Sequence, residues 1–143
     1  MKIHEDAILP CYAHRSDSGL DLFSYEAKVI KPFERKLIHT GVAIELPLKT
    51  EAQIRSKSGL ALNNGIIVLN SPGTIDQGYR GEICVILFNF GHENFSIFKG
   101  MNIAQLVVAS IKRVKLVSSL KLRGSERGKL GFGSTNYFQE AEI

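Results

Sequence analysis

An all-β sandwich or barrel with one short helix is the fold class this sequence predicts, and three observations point to it. Apolar and polar residues alternate with a period of two in short runs, Gly, Pro and Asn separate those runs at close intervals, and a single heptapeptide, Ser58–Asn64, reads as helical.

The clearest runs are Leu37 to Leu46 and Glu82 to Phe90. In the first, Ile38, Thr40, Val42, Ile44 and Leu46 fall on one face; in the second, Ile83, Val85, Leu87 and Asn89 do. Further strands are predicted over Ala52 to Ser56, Ile66 to Asn70, Asn94 to Phe98 and Ile103 to Ile111, with Ser58–Asn64 barely two turns of helix. The last twenty residues are rich in Gly, Ser and charge and can bury little apolar area, so residues 1–122 are expected to form the domain and 123–143 a mobile arm.

Size and composition agree with a single globular unit. A chain of 143 residues supports one real core, and 44% hydrophobic with 22% charged residues excludes a disordered or fibrous chain. No run approaches the ~20 apolar residues that span a bilayer, and the N-terminus lacks the apolar core of a signal peptide, so a cytoplasmic protein without a membrane partner is expected. Cys11 and Cys84 lie far apart at no metal-binding spacing and read as reduced thiols, packed or facing solvent. The net charge is +4, and residues 112–129 hold seven cations against Glu126 alone. Taken alone, that run is a solvated basic segment; an anionic partner is the other reading.

Several chemistries are missing. There is no His-Glu-x-x-His, no Cys-x-x-Cys and no Gly-x-Ser-x-Gly, and Gly124–Lys129 has neither the glycine spacing nor the hydroxyl of a phosphate loop. His39 sits alone in a strand run, where histidine is more often a packed or surface residue than a base or ligand.

Three loops are dense in groups that suit phosphate. Arg55, Ser56, Lys57, Ser58 and Gly59 supply two cations, two hydroxyls and open backbone at a helix start. Residues 73–81 put the carboxylate of Asp76 and the phenol of Tyr79 on a glycine-bounded loop between strands. Gly131, Phe132, Gly133, Ser134 and Thr135 set an aromatic ring among glycines and hydroxyls, just beyond Arg127 and Lys129. Singly, each has a bland reading: a capped helix start, an Asx turn, a flexible tail.

Taken together, in this order and spacing, the segments resemble the trimeric dUTP pyrophosphatase family, whose five motifs cover nearly the whole chain. They match at Ser18–Gly19–Leu20–Asp21–Leu22, at Ser58–Gly59–Leu60–Ala61, at Asn70 through Glu82, at Gly100 with Ile103–Ala104–Gln105–Leu106, and at Arg127, Gly128 and Gly131 through Thr135. The resemblance implies a homotrimer of jelly-roll subunits, with sites at the subunit interfaces and the C-terminal arm reaching a neighbour's site. It implies hydrolysis of dUTP to dUMP and pyrophosphate, which keeps uracil out of DNA and supplies dUMP for dTMP synthesis. Asp76 is then the group that orients or deprotonates the water attacking the α-phosphorus, with Gln105 and Lys57 beside the reacting atoms. Ser58, Gly59, Arg127, Ser134 and Thr135 hold the phosphates, and Asp21 holds Mg2+ through water. Asn70, Gly73, Ile75, Tyr79 and Phe132 hold uracil and deoxyribose in a pocket too tight for a 5-methyl group or a ribose hydroxyl. Lys57 stands where the family usually has arginine, Met101 and Asn102 replace an acidic-basic pair, and Asn136 with seven further residues extends the arm where a glycine is usual.

Three alternatives remain at this stage: a non-catalytic dUTP sensor, a dCTP deaminase-like enzyme of the same fold, and a nucleic-acid binder using the basic run. The last lacks the aromatic platforms of single-strand readers, so no nucleic-acid partner is expected.

Overall fold

The computed structural model describes residues 1–131, and its ordered elements run β1 (Leu20–Phe23), β2 (Lys28–Ile30), β3 (Arg35–His39), β4 (Thr50–Arg55), α1 (Ser58–Asn64), β5 (Ile66–Val68), β6 (Gly73–Ile75), β7 (Cys84–Asn89), β8 (Phe95–Ile97) and β9 (Asn102–Ser110). It is a jelly-roll-like all-β subunit, with α1 the one helix among the described residues. The strands form three antiparallel sheets in the orders β1-β9-β4-β6, β3-β7-β5 and β2-β8. Two compact units divide the chain, Met1–Lys112 and a second beginning at Arg113. The first holds every strand found among the described residues. In the second, residues 113–131 are exposed and carry no strand or helix.

Period-two alternation builds the core. Leu22, Ile30, Ile38, Ala52, Ile83, Val85 and Ala104 are wholly or almost wholly buried, each one the inward member of its strand or of the turn beside it, and Ile103, at the register shift between β1 and β9, is buried as well. Two buried polar side chains on the inward faces, Thr40 and Asn89, are satisfied. Thr40 Oγ1 donates to the Ile83 carbonyl at 2.6 Å, and buried Asn89 donates to the carbonyls of Ile30 and Glu93 at 3.0 and 2.8 Å while accepting from the Gly91 N–H at 2.8 Å. Asn89 thus belongs on the face assigned to it from sequence, because it staples two turns to the strand end.

Helix α1 has the predicted limits, closed by Gly65 at φ 68. The run Leu37 to Leu46, predicted as one strand, pairs as a strand only to His39. Gly41 adopts φ 70, and a Cβ there would lie 2.8 Å from the Ala7 Cβ, so the chain turns where the alternation runs on. Its inward face persists, with Thr40, Val42 and Leu46 buried. The strands predicted over Ala52–Ser56, Ile66–Asn70, Glu82–Phe90, Asn94–Phe98 and Ile103–Ile111 shift by one or two residues at their ends. Strands β1, β2 and β6 were not predicted. They have only three or four residues, β1 carries a charge at Asp21 and β6 begins on a glycine, so none shows a full alternation.

Candidate active site

Strand register gathers one group of the predicted residues. Asp21 of β1 lies opposite Gln105 of β9, and Gln105 lies opposite Arg55 of β4, so the three form a row across adjacent strands. Directly paired residues share a face, and this is the face opposite Leu20, Leu106 and Ile54, which point inward. Gly19 makes room for the row: a Cβ there would stand 3.3 Å from both Gln105 Cβ and Val107 Cγ2. The side chain of Lys57, at the N-terminal boundary of α1, gives that helix no cap. It reaches Asp21 instead, Nζ to Oδ1 at 2.8 Å, with the two side chains 24% and 12% exposed. Neighbouring Ser58 and Gly59 open α1 and are exposed.

Two other members of the predicted phosphate cradle have different partners. Ser56 Oγ accepts the Val68 N–H at 2.8 Å, tying β4 to β5, and Arg55 donates twice to Gln53 Oε1. The Ser56 hydroxyl is structural.

A second group lies along β6 and the loop after it. Asn70, Gly73 and Ile75 line a small hollow with Ile54 and Val68. Gly73 leaves Asn70 room there, since a Cβ would meet Asn70 Nδ2 at 3.1 Å. Ile75 also lines an adjoining pocket with Leu37, Asp76, Tyr79, Glu82 and Cys84. Asp76 is exposed and its carboxylate accepts no hydrogen bond among the described residues. Its backbone carbonyl does accept the Tyr79 N–H at 3.0 Å, closing the turn that fixes both side chains. The Tyr79 hydroxyl donates to the Glu82 carbonyl at 2.9 Å and passes over Gly81, where a Cβ would lie 2.4 Å from that oxygen.

Arg127 belongs to the second unit, where its guanidinium donates to the carbonyls of Leu130 and Gly131 at 3.0 and 3.3 Å. Phe132, Ser134 and Thr135 lie outside the described residues.

Sequence reasoning missed two contacts. The Asp21–Lys57 pair joins residues 36 apart, and no local spacing announces it. His39, read from sequence as a lone strand histidine, holds Glu82 at 2.8 Å from Nδ1 to Oε2 and faces Cys84, whose Sγ is 3.6 Å from the same nitrogen. No sequence signal announced it: the pairing of β3 with β7 in the fold sets His39 against Cys84. Burial and the neighbouring Glu82 carboxylate push the Cys84 thiol up to about 11, so it is protonated near neutral pH and is no nucleophile.

Burial works against ionisation of Glu82, but the hydrogen bonds from His39 and from the Gly41 N–H at 2.7 Å outweigh it and hold the carboxyl below its ordinary 4.5. A depressed carboxylate contributes stability above its unfolded pKa and loses it as pH falls through the folded value. Part of the acid unfolding below about pH 4.5 should therefore belong to this group. Denaturant midpoints measured from pH 7 to 3 are expected to fall more steeply in the native chain than in Glu82→Gln, and equal slopes would contradict that assignment.

Residues 5–136 match the family model described as dUTPase. The deoxyuridine 5'-triphosphate nucleotidohydrolase of Clostridium kluyveri is 58% identical over 134 residues, covering 94% of each chain. Among solved structures, the dUTPase of Staphylococcus bacteriophage 80alpha with dUPNHPP superposes at TM-score 0.88 with 28% identity, over 94% of this chain and 95% of that one. A point mutant of the dUTPase from S. aureus phage phi11, described with a structural Mg(II) ion, superposes at TM-score 0.79 with 24% identity over 85% and 95%. At that identity the likeness concerns the fold.

Proposed function

The chain belongs to the dUTPase family, whose reaction is the hydrolysis of dUTP to dUMP and pyrophosphate, and we propose that the two groups of residues on its β-sheets are the two halves of that site. The observation that carries this reading is the shared pocket of Ile75, Asp76 and Tyr79, which sets a carboxylate without a hydrogen-bond partner among the described residues beside a surface able to hold a nucleoside. The dCTP deaminase and the non-catalytic sensor gain no support from the family match or the relatives.

In the proposed mechanism, Asn70, Gly73 and Ile75 hold the uracil edge and Tyr79 packs on the deoxyribose. Asp76 takes a proton from a water whose oxygen bonds the α-phosphorus as the bond to the β-phosphate oxygen breaks and pyrophosphate leaves. The chain does little covalent chemistry, so positioning matters most. Gln105 orients the water and the phosphates, Ser58 and Gly59 donate to phosphate oxygens, and Lys57 offsets their charge. Arg127, Ser134, Thr135 and Phe132, in an arm of residues 123–143, complete the cage.

Asp21 fits Mg2+. Its Oδ1 is engaged by Lys57, while Oδ2 accepts no hydrogen bond among the described residues, so that oxygen can accept from the water an Mg2+ ion keeps around it. When bound, Mg2+ neutralises charge on the phosphates.

Neither hollow around β6 is lined by Asp21, Lys57, Ser58 or Gln105. That separation supports a homotrimer in which one subunit supplies the base pocket and another the phosphate groups; light scattering that returned a monomer would contradict it.

Lys57→Arg tests the phosphate half. A guanidinium keeps the charge and adds a planar two-pronged donor, so kcat/KM for dUTP is expected to hold or rise. A drop of tenfold or more (about 1.4 kcal/mol) in steady-state kinetics would contradict that expectation and show that the site needs the compact ammonium of Lys57.

A further inference from the structure

Beside the nucleotide pocket sits a cluster that the proposed mechanism does not use. His39 on β3 and Cys84 on β7 are direct cross-strand partners, and Glu82, two residues before Cys84, extends toward the same side. The imidazole Nδ1, the carboxylate Oε2 and the thiol Sγ lie within 4.8 Å of one another. The carboxylate is pre-set, because its other oxygen accepts the Gly41 N–H at 2.7 Å, which turns Oε2 toward His39.

We propose that His39, Glu82 and Cys84 form a binding site for a borderline-soft divalent cation, Zn2+ in the first instance, distinct from the Mg2+ proposed at Asp21. One nitrogen, one oxygen and one sulfur donor are the set zinc takes, whereas Mg2+ wants oxygens in an octahedron. The spacing agrees. Zinc bonds of about 2.0 Å to nitrogen and about 2.3 Å to sulfur place those donors roughly 3.5 Å apart in a tetrahedron. Cys84 Sγ and His39 Nδ1 already stand at 3.6 Å. The His39–Glu82 contact of 2.8 Å must open by about half an ångström, which the half-exposed imidazole can supply by rotation. Water fills the fourth position. Binding is redox-neutral and releases one proton: Cys84 gives its thiol proton to solvent, and the neutral imidazole shifts its proton from Nδ1, where it bonds Glu82, to Nε2 so that Nδ1 can ligate.

Glu82 and Cys84 also line the pocket of Asp76 and Tyr79. Occupancy therefore restrains dUTP turnover, an effect that rests on the function proposed above.

Chelator-treated full-length protein, kept in saturating Mg2+, is titrated with Co2+ as a spectroscopic probe and then with Zn2+, while turnover is followed separately. The expected result is a thiolate-to-cobalt charge-transfer band that saturates at one Co2+ per chain and is displaced by Zn2+. It should persist in Cys11→Ser, disappear in Cys84→Ser and need about tenfold or more Co2+ in His39→Gln. Thermal melts confirm that each variant is folded. No band, or a band that survives Cys84→Ser, overturns the site. Zn2+ should lower dUTP turnover in the native chain and not in Cys84→Ser; a normal band with unchanged turnover overturns the restraint. Failure to hydrolyse dUTP at all would fall on the proposed function instead, since the spectroscopic readout needs no substrate.

Discussion

Asp76→Asn is expected to retain dUTP binding within a factor of a few and to lose about 10²-fold or more in kcat. The substitution preserves shape and removes the proton acceptor. The side chain is exposed and makes no hydrogen bond among the described residues, so the fold should tolerate the change to within about 0.5 kcal/mol. Binding by equilibrium titration and turnover in the same preparation separate the two effects. Turnover near the native rate would show that Asp76 neither orients nor deprotonates the water. A parallel loss of binding would instead place it among the groups that hold the nucleotide.

The second large effect is structural. Leu22 is fully buried in β1, next to Asp21, and pairs in register with Ala104 of β9. Leu22→Ala should cost about 2–5 kcal/mol through lost burial and the cavity left behind. That is a large share of the roughly 5–15 kcal/mol that stabilises a typical domain, and the melting midpoint should drop by roughly ten degrees. A shift of a degree or two by circular dichroism would mean that β1 packs loosely and cannot fix Asp21 against Gln105.

How much of this was legible in the sequence varied with the length scale of the interaction. The inward faces of 38–46 and 83–89 could be read because alternation is a local signal, and Asn89 kept its place because the chain around it supplies three hydrogen-bond partners. The end of β3 could not be read, because the chain turns at Gly41 with φ 70, where the approach of distant Ala7 leaves no room for a Cβ. Helix α1 was legible to the residue, for its boundary is written locally in Gly65. In the site, the motif residues were legible one by one, but their grouping was not. The Asp21–Gln105–Arg55 row comes from the pairing of β9 with both β1 and β4, and Lys57 joins it from the helix start. The His39–Glu82–Cys84 cluster was equally hidden, since β3 and β7 are more than forty residues apart in the chain.

The central claim is that this chain hydrolyses dUTP and selects it by its base and sugar. The most direct measurement is Mg2+-dependent pyrophosphate release from dUTP, with dCTP, dTTP and UTP run in parallel at equal concentration. Rapid release from dUTP alone is the predicted result. Tight dUTP binding without release would contradict the enzymatic reading and restore the sensor, and ammonia released from dCTP would place the chain with the deaminases.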